Sequence, residues 1–136
     1  MPKEVTAYTG MDALAHAVEA YTFRTALDGN IPVVDAVALE AIRLIGQNLV
    51  RAYENGNDLQ SKGRHAVGSL LAGIALKHGS GETHAIGSML AKYYGVCTVF
   101  PSESSCLTVW NITCRTDMTG FFRSRRRWGQ ILPVFL

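Results

Sequence analysis

Apolar residues recur about every 3.6 positions through the first part of the chain, which is typical of helices that bury one face. Upstream of the first apolar stripe, Thr9 and Asp12 have the spacing of a capping box, which predicts a helix start near Thr9. That stripe consists of Ala13, Leu14, Ala17, Val18 and Tyr21.

Three further helices are predicted downstream. Pro32 marks the start of the second, because proline is favoured in the first turn of a helix, and this helix should end near Asn55-Gly56-Asn57. Asn57 or Asp58 is expected to cap the third helix. The third helix passes through Ala66, Leu70, Leu71, Ile74 and Ala75 towards Gly79-Ser80-Gly81, and the fourth runs from about Glu82 to Tyr94. Four helices with short connections predict an all-α helical bundle.

The character of the sequence changes near Val96. Every alanine, lysine, histidine and tyrosine precedes this point, whereas every cysteine and both tryptophans follow it. The later part shows neither a helical period nor sustained alternation. We therefore divide the chain into a helical domain, residues 1–96, and an irregular, poorly ordered tail, residues 97–136.

Composition excludes several classes of protein. A formal net charge of +2 favours neither nucleic acid nor a membrane as a partner, and no apolar run approaches the roughly 20 residues needed to span a bilayer. The N-terminus has no secretory apolar region, so we expect a cytoplasmic protein.

Three cysteines without paired spacing argue against a disulfide framework or a cysteine-based zinc site. The cluster Arg123-Ser124-Arg125-Arg126-Arg127 is interpreted as a solvated surface rather than a nucleic-acid patch.

Asp12 and His16 carry the first chemical signal. They are four residues apart, which puts a carboxylate and an imidazole on one face of a helix. A divalent ion such as Fe²⁺ or Zn²⁺ takes this mixture of oxygen and nitrogen ligands. The alternative is that Asp12 caps its helix and His16 is an ordinary core histidine.

A family resemblance favours the metal interpretation. Three motifs carry it: Thr9-Gly10-Met11-Asp12-Ala13-Leu14-x-His16-Ala17-Val18-Glu19-Ala20-Tyr21, Asp35-Ala36-x-Ala38-Leu39-x-Ala41-Ile42 and Gly79-x-Gly81-x-x-His84-Ala85. Together they make residues 2–96 closely resemble the helical C-terminal domain of the iron-containing alcohol dehydrogenases, within the dehydroquinate synthase-like superfamily. In that family one Asp and three His bind the divalent metal. The resemblance implies that Asp12, His16 and His84 are three of the four ligands.

The chain departs from the family pattern at two positions. The fourth ligand, a histidine, should stand where this sequence has Thr98, and another frequent histidine of the family is replaced by Ser88. His65 and His78 match no ligand position and are expected at the surface or its boundary. Glu19 is expected to stabilise its helix rather than take part in chemistry, and Tyr93-Tyr94 is expected to pack in the core.

The genetic code indicates a reading-frame shift in the tail. If the tail is read one base earlier, Cys97-Thr98 must encode His or Tyr, and Thr98-Val99 permits Gly, which restores the His-Gly of the fourth ligand. At three later pairs of residues the shifted codon can encode only one amino acid: Glu at Trp110-Asn111, Asp at Met118-Thr119 and Gly at Trp128-Gly129. The coding DNA tests this hypothesis, because bases that cannot encode His-Gly in the shifted frame would exclude it.

The resemblance also implies an activity. In the family, hydride passes between an alcohol carbon and NAD(P), while Fe²⁺ or Zn²⁺ polarises the oxygen of a small alcohol or aldehyde. The nucleotide is held by a preceding α/β domain, and this chain has no Gly-rich turn between a strand and a helix. We therefore expect a fragment from the interior of a longer, homo-oligomeric enzyme, inactive alone. The alternatives are a fragment of a zinc-dependent polyol (glycerol-type) dehydrogenase, and a small helical interaction module without catalysis.

Overall fold

The structure is a computed structural model that describes residues 1–22, 31–77, 79 and 81–95. These residues form helices and no strand, which confirms the all-α prediction. The predicted tail, residues 97–136, lies outside this part of the chain, and the division at residue 96 stays a prediction. The helices are α1 (Lys3–Thr22), α2 (Pro32–Glu54), α3 (Leu59–Leu76) and α4 (Glu82–Tyr94).

The ends of α2, α3 and α4 follow from local chemistry, as the sequence predicts. Pro32 occupies the first turn of α2. Asp58 caps α3: its carboxylate accepts hydrogen bonds from the Ser61 amide at 3.1 Å and from the Ser61 hydroxyl at 2.7 Å. Gly95 follows α4 with a φ of +64°, a left-handed conformation that glycine adopts without a steric penalty.

The predicted start of α1 at Thr9 is wrong. The helix begins at Lys3, directly after Pro2 and with Glu4 in its first turn, both of which favour a helix N-terminus. The Thr9 hydroxyl donates to the Val5 carbonyl at 2.7 Å, so it bonds within the helix rather than capping it. Asp12 consequently lies inside α1, one turn before His16, and is not a capping residue.

Helices α1, α2 and α3 pack around a core in which alanine predominates. Ile42 and Ile45 of α2 are fully buried between the neighbouring helices. Small residues let the helices approach closely, as at Gly68, where an added Cβ would lie 2.8 Å from Ile45 Cγ1. The buried core cluster contains Ala13, Ala17, Val18, Ala20, Tyr21, Val34, Ala38, Ala41, Ile42, Ile45, Ala72 and Ala75.

Two expectations about burial are wrong. His65 is buried, 7% exposed, because it packs against α1 where Gly10 offers no side chain. Tyr93 and Tyr94 are 66% and 77% exposed rather than part of the core. Helix α3 packs mainly through a face of small and polar residues, and several of its larger apolar residues are exposed. The packed face holds Ser61, His65, Gly68, Ala72 and Ala75, whereas Val67, Leu70 and Ile74 are exposed.

None of the described helices combines the length and apolar character needed to cross a membrane.

Candidate metal centre

The three residues predicted as ligands come together where α4 begins beside the middle of α1. Asp12 and His16 stand one turn apart on α1, and His84 lies in the first turn of α4. One potential ligand atom from each lies within 4.8 Å of the other two. Atoms that share one Zn²⁺ or Fe²⁺ ion at about 2.0–2.2 Å are separated by about 3–4 Å, so this group is close to the geometry of a shared ion.

The distances show how the group is arranged. The Asp12 carboxylate reaches one nitrogen of each ring, with Oδ2 at 3.8 Å from His16 Nδ1 and Oδ1 at 3.5 Å from His84 Nε2. The His16 and His84 rings stack with centroids 3.9 Å apart and planes 14° from parallel. All three side chains are partly accessible, at 19–24% exposure. The three side chains are therefore less exposed than ordinary surface residues, but they are not fully buried in the core.

Glu19 completes the surroundings of His84. Its side chain is buried, and its Oε2 atom accepts a hydrogen bond from His84 Nδ1 at 2.6 Å and another from the Gly81 amide at 2.8 Å. Sequence reasoning assigned Glu19 to helix stability only. The missed signal is its position seven residues after Asp12 and three after His16, which puts all three on one face of α1.

The two imidazoles differ in electrostatics. Burial lowers the pKa of His16, and the neighbouring charge of His84 lowers it further, against smaller opposing effects of Asp12 and Glu19. Burial also disfavours a charged His84, but the neighbouring carboxylates of Asp12 and Glu19 outweigh it and raise the pKa of His84 to about 9. At neutral pH the proton of the pair therefore resides on His84.

The donor set fits a divalent cation. His84 Nε2 is buried and makes no hydrogen bond, although it faces Asp12. Its 3.5 Å contact with Asp12 is longer than a normal hydrogen bond, so this buried nitrogen is poorly satisfied, and an ion that displaces the proton would satisfy it. One carboxylate oxygen and two imidazole nitrogens are ligands that both Zn²⁺ and Fe²⁺ accept.

Of the other positions singled out in the sequence, Ser88 and His65 are described by the structure and are not part of this group. Ser88 lies one turn after His84 on α4 and is exposed. Thr98, at the position of the fourth family ligand, and His78 lie outside the described residues. His65 is buried elsewhere, against Gly10 and Leu49.

Several known proteins are similar to this chain in sequence and structure. Residues 6–98 match the model of the Fe-containing alcohol dehydrogenase family, C-terminal part. The chain is 48% identical over 94 residues to 1,3-propanediol dehydrogenase of Klebsiella pneumoniae, covering 68% of this chain and 23% of that protein. It is 32% identical over 121 residues to NAD-dependent methanol dehydrogenase of Bacillus methanolicus, covering 85% of this chain and 30% of that protein. The crystal structure of an iron-containing alcohol dehydrogenase from Thermotoga maritima is also similar, with a TM-score of 0.73 and 30% identity. The match covers 100% of this chain and 36% of the Thermotoga chain.

The chain therefore belongs to the iron-containing alcohol dehydrogenase family. Its described helices correspond to the all-α C-terminal domain of that family. The chain spans only 23% and 30% of the length of the two curated relatives given above.

Proposed function

We propose that this chain is the metal-binding segment of an NAD(P)-linked alcohol dehydrogenase, and that Asp12, His16 and His84 hold Fe²⁺ or Zn²⁺. One observation carries the proposal: residues 72 positions apart in sequence place their ligand atoms within 4.8 Å of one another. The family to which the chain belongs supports the same assignment.

Each of these side chains has a separate task at the site. Asp12 supplies the negative charge that a divalent ion requires, and His16, with its lowered pKa, offers a neutral nitrogen at physiological pH. His84 supplies the second imidazole, from α4, beside the His16 ring. When bound, the ion would supply Lewis-acid chemistry towards an alcohol or aldehyde oxygen.

The hydride acceptor in the proposed reaction is NAD or NADP. The name of the Bacillus methanolicus relative supports a nicotinamide cofactor. The 136 residues contain no Gly-rich turn between a strand and a helix, so the nucleotide would be held by another part of a complete enzyme. We propose that the isolated chain oxidises no alcohol, and that the complete enzyme is a cytoplasmic homo-oligomer acting on a small alcohol or aldehyde.

Cobalt spectroscopy of the whole chain tests the proposed site. Co²⁺ is titrated into the wild type and into D12N, H16N and H84N, and the visible absorption of the bound ion is recorded. We expect saturable binding of one ion in the wild type and at least a tenfold loss of affinity in each variant, because affinity depends on the number of ligands.

The matched control is H65N, which removes a buried imidazole outside the site. It should bind Co²⁺ like the wild type if circular dichroism shows that it is folded. Equal Co²⁺ binding by all four variants and the wild type would contradict the proposal, and so would a wild type that binds no ion. The second result would favour the helical interaction module.

A further inference from the structure

Glu19 is the most deeply buried acidic side chain near the candidate metal centre. It is 2% exposed, and it joins two helices that are 60 residues apart in sequence. A buried carboxylate is costly unless hydrogen bonds compensate it. Here Oε2 accepts two of them, from His84 Nδ1 at 2.6 Å and from the Gly81 amide at 2.8 Å.

The bond to His84 determines which ring nitrogen faces the centre. Carboxylates only accept, and Glu19 at 2.6 Å from Nδ1 is much closer than Asp12 at 3.5 Å from Nε2, so the proton of the neutral ring stays on Nδ1 and the lone pair stays on Nε2. Nε2 is the atom that lies 3.5 Å from Asp12 and has no hydrogen-bond partner. Without Glu19, the proton of the neutral ring could occupy either nitrogen, and one of the two tautomers offers no ligand at Nε2.

The bond to Gly81 holds the backbone that carries His84. Gly81 is the residue directly before α4, and its extended conformation turns its amide towards Glu19. Downstream in α4, Ile86, Met89 and Tyr93 are 43–66% exposed, so this helix gains little from core packing there. One oxygen of Glu19 therefore fixes both the first turn of α4 and the His84 ring to α1.

We propose that Glu19 is a positioning residue that presents His84 Nε2 to the ion held by Asp12, His16 and His84. The inference rests on the proposed metal site and adds to it a buried carboxylate that binds no ion itself. Outer-shell partners of metal-binding histidines typically change metal affinity by about 10–100-fold when they are removed.

Two variants of the whole chain separate the effects of Glu19. In E19Q the amide oxygen can still accept both hydrogen bonds, but without the negative charge, and we expect Co²⁺ affinity to fall about tenfold. In E19A both bonds are lost, and we expect a fall of about 100-fold. E40Q is the control, because it removes a carboxylate that pairs with Arg43 on the surface of α2 and should leave Co²⁺ affinity unchanged.

A second measurement reports on the ring directly. Nitrogen-15 NMR of the metal-free chain, at least one pH unit above the His84 pKa of about 9 so that the ring is neutral, identifies which nitrogen of His84 carries the proton. We expect Nδ1 in the wild type and in E40Q, and a mixture of tautomers in E19A. If Glu19 had a purely structural role, E19Q would bind Co²⁺ with the affinity of the wild type, and the His84 tautomer in E19A would be the same as in the wild type.

The outcomes separate this inference from the proposed function. If the wild type binds Co²⁺ and both Glu19 variants bind it within twofold of the wild type, the role of Glu19 is wrong and the metal site stands. If the wild type binds no ion, the metal site is wrong. In that case the NMR result still decides whether Glu19 fixes the ring: a His84 proton on Nε2 in the wild type would overturn it.

Discussion

The imidazole rings of His16 and His84 stack with centroids 3.9 Å apart and planes only 14° from parallel. Two charged rings in this arrangement repel each other, and this repulsion contributes, after burial, to the lowered pKa of His16. Asp12 and Glu19 hold the proton on His84, whose pKa is about 9 despite burial. At neutral pH the pair carries one proton, and an ion that uses both rings has to displace it.

Metal affinity should therefore depend steeply on pH. Below the His84 pKa of about 9, the ion competes with one proton, so its apparent affinity should rise about tenfold per pH unit as the pH increases from neutral towards 9. Zn²⁺ competition titrations at several pH values measure this slope. Calorimetry in buffers of different ionisation enthalpy should show that about one proton is released per ion. An affinity that is independent of pH would contradict the assignment of the proton to His84.

The stability of the metal-free chain should pass through a maximum close to the ordinary histidine pKa. The pKa of His84 is raised from 6.5 to about 9, so its stabilisation is complete below 6.5 and is lost as the pH rises to about 9. Burial lowers the pKa of His65 and is the leading cause of the lowered pKa of His16, so these residues destabilise the fold as the pH falls below 6.5.

Urea denaturation measured across this pH range tests the expected curve. We expect the free energy of unfolding to fall by about 2 kcal/mol between pH 6.5 and pH 9, because one pKa unit corresponds to about 1.4 kcal/mol and partial exposure reduces the effect. H84N should flatten this alkaline side and reduce the acid side without removing it, because the charge of His84 contributes to the lowered pKa of His16 whereas burial alone lowers that of His65. An unchanged alkaline slope in H84N would show that other groups cause it.

Two glycines of α3 should respond in opposite ways to alanine. At Gly68 an added Cβ would lie 2.8 Å from Ile45 Cγ1 and 3.3 Å from the Ile45 backbone nitrogen, so G68A should lower the free energy of unfolding by about 1–3 kcal/mol. At Gly73 nothing lies within 4 Å, and G73A should raise it by about 0.5–1 kcal/mol, because alanine favours the helix. Denaturant midpoints of the two variants measure the difference. Similar midpoints would argue against close packing of α2 on α3.

Local sequence signals predicted the parts of the fold that local chemistry controls. Pro32 and Asp58 mark the observed starts of α2 and α3, because the residues of a single turn determine where each of these helices begins. The start of α1 was missed because its first turns contain no regular apolar stripe, and Thr9 imitates a cap. The apolar pattern of α3 indicated its packed face only in part: Ala75 is buried and Leu71 packs against the core, whereas Leu70 and Ile74 are exposed. Close helix packing also uses small residues such as Gly68 and Ala72, which an apolar pattern does not emphasise.

The candidate site was predictable only in part for a related reason. The spacing of Asp12 and His16 and the family motif around His84 pointed to the three residues that the fold brings together. Glu19 could not be assigned from its own position, because its role depends on α4 starting beside it, a contact between distant parts of the chain. The position of the fourth family ligand, Thr98, lies outside the described residues.

X-ray absorption spectroscopy of the zinc-loaded chain tests the central claim most directly, because it counts the atoms around the ion. The account predicts a first shell with two imidazole nitrogens and at least one carboxylate oxygen, at about 2.0–2.2 Å. In H84N one imidazole contribution should disappear, and in H65N both should remain. A spectrum with no imidazole nitrogens, or one that is identical in the wild type and H84N, would contradict a metal centre built from Asp12, His16 and His84.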